Sequence, residues 1–184
     1  MSTSQSSRPS LFTRPRQREA LSYLLRALVV GGAAYAILYF PYPEGSLPVR
    51  ALTGYLRLVA HASAIAVWPF DHTVMANGDL VEGRFSLRIV LDCAALDAHA
   101  LFAAAVLAFP APVALRLWGV TAGGLGLAAV NVGRIVILYV VGIWWPTAFH
   151  WMHEEVLQLT IVLAAFSAFL AWILWAQRRS TRAQ

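Results

Sequence analysis

The sequence predicts an all-α polytopic membrane protein with about four transmembrane helices, an interfacial helix and a short extracytoplasmic β-hairpin-like segment. Composition is the first reason. Of 184 residues, 59% are hydrophobic and 12% charged, and the mean hydropathy is +0.64. A soluble domain carries roughly twice that charged share. Charge placement is the second reason. Arg8, Arg14, Arg16, Arg18 and Arg26 lie before or at the start of the first apolar run, and Arg178, Arg179 and Arg182 follow the last. The formal net charge of +5 therefore reads as a positive-inside bias with both termini cytoplasmic. It does not read as a nucleic-acid surface, because the basic residues flank apolar runs instead of lining a domain face.

Three segments divide the chain. Residues 1–19, rich in Ser, Arg and Gln, read as a disordered basic cytoplasmic tail. Residues 20–176 form a single transmembrane domain, and residues 177–184 a second cytoplasmic tail. The first span covers residues 21–40. It is too long for the apolar core of a signal peptide, lacks a convincing cleavage site and is expected to be retained. Pro41, Pro43 and Pro48 end it.

Residues 49–70 are long enough to cross a membrane, yet Arg50, Arg57 and His61 fall on one helical face beside Thr53 and Gly54. Leu52, Leu56, Val59 and Ile65 lie mostly on the other side. An amphipathic helix lying in the interface fits this pattern better than a span containing arginine. Residues 71–92 follow as the least apolar internal stretch. Asn77-Gly78-Asp79 is a strong turn signal, with strands expected from Val74 to Ala76 and from Leu80 to Val90.

The second span is expected over residues 94–109, slightly short, before Pro110, Pro112 and Arg116 turn the chain. Residues 117–145 exceed a minimal span, either as one long helix or as two pieces broken near Asn131-Val132-Gly133-Arg134. Trp144 and Trp145 suit an interfacial belt at its outer end. The last span is expected over residues 153–175. Both termini fall inside with this count, and the hairpin outside.

That topology brings three reactive side chains to one membrane face: Cys93 and His153 at the outer entrances of the second and fourth spans, and Arg134 in the outer half of the third. Together they suit a cysteine acyl-transfer centre. The nucleophile is a thiolate, favoured by cationic neighbours; His153 takes the thiol proton and later protonates the leaving amine; Arg134 binds the oxyanion or substrate carbonyls. Bland alternatives exist for each: a packed cysteine, an interfacial histidine, and an arginine snorkelling to headgroups.

Neighbouring residues are substrate-binding or orienting candidates. Asp92 opposes a low thiol pKa unless it points away or orients a histidine. Asp97 is four residues from Cys93 and would share its helix face. His99 could replace His153 as the base, His150 lies one turn before His153, and Asn131 lies one turn before Arg134 and would orient it. His153-Glu154 begins like a zinc-protease motif, but Leu157 stands where the second histidine is required. No metal or cofactor is expected. The single cysteine rules out an intramolecular disulfide.

These residues resemble the exosortase/archaeosortase family of membrane transpeptidase-like proteins, most closely the exosortase H type. The anchors are Leu91-Asp92-Cys93-Ala94-Ala95-Leu96-Asp97-Ala98, Ala105-Val106-Leu107-Ala108-Phe109-Pro110, Asn131-Val132-Gly133-Arg134-Ile135-Val136, and Trp145-Pro146 through Phe149 to His153. The resemblance implies catalytic roles for Cys93, Arg134 and His153. It also implies a substrate class: exported proteins with a C-terminal tag made of a recognition motif, a transmembrane helix and a basic end. By the same resemblance the tag is expected to be cleaved through a thioester at the extracytoplasmic face of the cell (inner) membrane. Membrane lipids are the other expected partners. One departure stands out. Family members usually carry a small polar residue and glycine after the cysteine, whereas Ala94-Ala95 follow it here, and Asp92 precedes it. Without glycine's backbone freedom the loop is expected to enter the helix directly. The alternative function is a non-enzymatic membrane protein that binds or assembles tagged partners.

Overall fold

The computed structural model describes residues 14–182, except for the side chains of residues 14–18, Asp92 and residues 180–182. Its helices are α1 (Arg14–Tyr39), α2 (Leu47–Val67), α3 (Leu96–Ala108), α4 (Val113–Trp144) and α5 (Leu157–Arg182). Between α2 and α3 lie β1 (Met75–Asn77), β2 (Leu80–Glu82) and β3 (Leu87–Arg88), an antiparallel sheet in the order β1-β2-β3.

Helices α1, α3, α4 and α5 alternate in direction, as their cross-links show. The Tyr23 and Tyr39 hydroxyls of α1 reach the Ala105 carbonyl (3.5 Å) and the Asp97 carboxylate (3.0 Å) of α3. His99 of α3 approaches the Gly124 carbonyl of α4 at 3.2 Å. Trp172 Nε1 of α5 donates to the Leu115 carbonyl of α4 at 3.1 Å, its indole lying where any side chain at Gly119 would stand. The start of α1, the α3–α4 turn and the end of α5 therefore share one end of the bundle. The sheet, Cys93 and His153 lie toward the other.

Three helical stretches are long and apolar enough to cross a membrane: Glu19–Tyr39, Val113–Trp144 and Pro146–Arg179. Their exposed Leu24, Leu28, Leu163 and Phe166 are suited to lipid. Where four spans were expected, the second is only the helix Leu96–Ala108. At 1.5 Å per residue it rises about 20 Å, short of a hydrocarbon core of roughly 30 Å. The long third segment is one unbroken helix, since neither Asn131 nor Gly133 interrupts it.

Helix α2 is not among the three. Arg50, Arg57 and His61 are exposed. The buried stripe is Val59, Ala60, Ser63, Ala64 and Val67, so Ile65 faces outward, against expectation. The hairpin also differs. Gly78 adopts φ +65 at the β1–β2 turn as the Asn-Gly signal predicts. The expected second strand, however, breaks at Gly83–Ser86 and returns as β3. Helix α1 begins within the expected tail, and α5 runs to Arg182; residues 1–13 and 183–184 lie outside the described residues.

Asp71 pins the sheet to α4. Its buried carboxylate accepts from the Thr73 hydroxyl (2.6 Å), the Arg84 amide (2.8 Å), the Tyr139 hydroxyl (2.7 Å) and the Thr73 amide (3.0 Å). The Thr73 hydroxyl, then the Arg84 amide and the Tyr139 hydroxyl, hold this carboxyl well below the usual carboxylate range, against the opposing effect of burial. A carboxyl with a depressed folded pKa adds stability above its unfolded value of about 3.9 and loses it as the pH falls through the folded value. Thermal unfolding in detergent should show this group's stabilisation in full, with no pH dependence from it, between pH 8 and roughly pH 5, and a falling Tm from roughly pH 4 downward. Asp71→Asn should lower Tm at neutral pH and flatten that acid limb.

Candidate active site

Cys93 does not sit on the helix that follows it. Asp92–Ala94 forms a single 3₁₀ turn, and Ala95 takes the left-handed conformation (φ 53, ψ 31) before α3 starts at Leu96. Ala95 is the only non-glycine residue with positive φ among the described residues. Sequence reasoning predicted direct entry into the helix because glycine is missing. Instead the turn is kept and alanine bears the strain, about 1–2 kcal/mol for a residue with a Cβ. Cys93 is 4% exposed, between buried Ile89 and the buried pair Ala94-Ala95.

Helix α4 holds this turn. Asn131 Nδ2 donates to the Cys93 carbonyl at 2.9 Å. Asn131 is itself buried, and its Oδ1 has no partner among the described residues. The residue expected to orient Arg134 therefore holds the Cys93 backbone. Arg134, one turn further along, is 3% exposed and donates from Nη2 to Gln158 Oε1 on α5 at 3.2 Å. Gln158 is a contact that sequence reasoning missed, although its place five residues after His153 in an apolar helix was a usable signal.

His153 arrives from the opposite side. After Trp144 the chain passes through a 3₁₀ turn, Pro146–Ala148, a helical turn, Phe149–Trp151, and a π-turn, Met152–Val156, which carries His153. Such widened turns recur at functional sites. The Cys93 Sγ to His153 Nε2 distance is 3.9 Å. For Nε2 to accept the thiol proton, the ring hydrogen must be on Nδ1.

The other expected residues are elsewhere. The break at Ala95 voids the helical spacing from Cys93 to Asp97, whose carboxylate accepts from Tyr39 instead. His99 has Nδ1 2.8 Å from the Ala95 carbonyl and Nε2 3.2 Å from the Gly124 carbonyl. That is a bridge between α3 and α4, with neither nitrogen on the thiol. His150 is exposed and pairs with Glu154 at 3.0 Å. The Asp92 side chain lies outside the described residues. No group of three or more His, Cys, Asp or Glu among the described residues could hold a metal ion. No family model, curated protein or solved structure matches the chain.

Two substitutions test the turn by thermal unfolding in detergent. Ala95→Gly should keep the fold and raise stability by up to about 1 kcal/mol, the relieved strain less the added unfolded-state entropy. Asn131→Leu should cost about 1–3 kcal/mol, because the buried Cys93 carbonyl loses its donor.

Proposed function

We propose that this chain is a membrane cysteine peptidase/transpeptidase of the exosortase/archaeosortase type, closest to the H type. The observation that carries the reading is the Cys93–His153 pair, 3.9 Å apart and assembled from segments 60 residues apart in sequence. A cysteine within reach of a histidine is the minimal arrangement for thiol acyl transfer. Arg134, buried on the helix whose Asn131 holds the Cys93 turn, is the positive charge that this reading assigns to the developing oxyanion.

In this reading His153 takes the Cys93 proton and the thiolate attacks the substrate carbonyl. The oxyanion forms next to Arg134. When the intermediate collapses the C–N bond breaks, the leaving amine takes the proton from His153, and a thioester joins Cys93 to the new C-terminus. Water or an amine then attacks the thioester and returns the proton to the thiolate through His153. The substrates are exported proteins with a C-terminal tag of recognition motif, transmembrane helix and basic end. The arginines near the two ends of the chain put those ends in the cytoplasm by the positive-inside rule. Cys93 and His153 then face the extracytoplasmic side.

The low exposure of Cys93 favours a second reading, a non-enzymatic membrane protein that binds tagged partners. Co-expression with a tagged substrate separates the two. Wild-type protein should remove the tag, seen as a mass change at the substrate's C-terminus. Cys93→Ala and His153→Ala should each reduce processing by 10²-fold or more at unchanged protein level, and Arg134→Ala should act in the same direction. Normal processing by stable Cys93→Ala would end the peptidase reading and leave the binding one.

A further inference from the structure

We infer that the small sheet braces the His153 imidazole, with Phe85 and Phe149 as positioning residues; the inference rests on the Cys93–His153 pair proposed above. The imidazole stacks nearly parallel on the Phe149 ring, with centroids 6.0 Å apart and an interplanar angle of 11°. Phe149 packs on Phe85 at 5.2 Å and 51°. Phe85, from the loop between β2 and β3, meets Tyr139 edge-on at 6.0 Å and 85°. Its amide points at the Tyr139 hydroxyl, 3.4 Å away, and that hydroxyl donates to Asp71. One run of contacts thus leads from the pinned carboxylate to the histidine.

Two features make this run a brace and not merely part of the core. Phe85 lies flush on the backbone of α4: a Cβ at Gly142 would stand 2.6 Å from its ring. The ring therefore has a rigid floor as well as a hydrogen-bonded edge. His153, in turn, stands on a π-turn and is only partly buried, so side-chain contacts set its plane. A sulfur–nitrogen distance of 3.9 Å is at the limit of a useful contact. A small tilt of the imidazole ends it.

Alkylation of the one cysteine by iodoacetamide reads this coupling without any substrate. The protein is the full chain in detergent micelles, and the rate is followed from pH 5 to 9 for wild type, His153→Ala, Phe149→Leu, Phe149→Tyr and Phe85→Leu. Gly142→Ala displaces the Phe85 ring by another route, should Phe85→Leu fail to fold. The charged groups on the surrounding elements, Arg134 of α4 and His150, Glu154 and Glu155 beside His153, are the same in every variant. At neutral pH, His153→Ala should be slow, since the thiol loses its proton acceptor and less thiolate forms. Phe149→Leu, Phe85→Leu and Gly142→Ala should slow alkylation roughly tenfold, a partial loss of the roughly 10²–10⁴-fold worth of a positioned base, and move the profile toward that of His153→Ala. Phe149→Tyr, which keeps the ring, should stay within about twofold of wild type, the margin left by an intact base. Wild-type rates and profiles in Phe149→Leu and Gly142→Ala beside a slow His153→Ala would overturn the brace alone. A wild-type rate in His153→Ala would overturn the pair and the brace together.

Discussion

The hydrogen bond from Asn131 to the Cys93 carbonyl is the contact around which the site is organised. Nearly everything near it is apolar: Ile89, Ala94, Ile135, Leu138 and Leu157 are all buried in the same cluster. A backbone break in such surroundings exposes carbonyls that the following helix would otherwise satisfy, and hydrocarbon offers no water to replace it. With Ala95 left-handed, the turn before α3 needs an outside donor. The buried carboxamide of Asn131 provides it, and in doing so fixes the Cys93 turn against α4. Because α3 is short, that attachment lies well down α4, with about 20 Å of helix rise between Asn131 and Trp144. Cys93 is therefore recessed relative to the end of the longest helix.

The histidine side is built on other physics. Its supports are aromatic faces and one charged pin. Asp71 tolerates burial because several donors converge on it, and one of them, Tyr139, is also part of α4. Helix α4 thus carries both halves, holding the Cys93 turn through Asn131 and the sheet through Tyr139, two turns further on. Its being one unbroken helix fixes the relation between them. A hinge at Asn131–Arg134, which the sequence also permitted, would have let the two halves drift.

The order of spans and the inside–outside argument were enough to place Cys93 and His153 at the same end of the bundle, and the structure has them in contact. What failed was local helix arithmetic. The assignments of Asp97 and His99 to the cysteine assumed an uninterrupted helix through Ala95, and nothing marks that alanine as left-handed. Conversely the loss of glycine was taken to remove the turn, although a cost of about 1–2 kcal/mol is within what packing can offset. Tyr139 and Phe85 were invisible for a different reason. Their roles come from contacts between distant segments, while their own patterns are those of ordinary apolar helices and strands. The third strand was missed because the alternation of Phe85, Leu87 and Ile89 continues across a bend that alters direction but not periodicity.

Burial of the thiol bears on which chemistry the site favours. A cysteine at 4% exposure is a poor target for bulk solvent, which argues against a general hydrolase acting on soluble peptides. The same enclosure suits a thioester that must survive until the right acceptor arrives, since excluding water suppresses the competing hydrolysis. It also strengthens the influence of Arg134, whose charge is fixed in a poorly screened environment. Under the peptidase reading, then, the apolar wall around Cys93 makes transfer to an amine a better use of the intermediate than release to water. Beside this wall, α2 and the end of α1 leave a groove of about 600 Å³ flanked by Leu91 and Leu96. Those two residues bracket the Cys93 turn, so a segment lying in that groove would pack beside that turn.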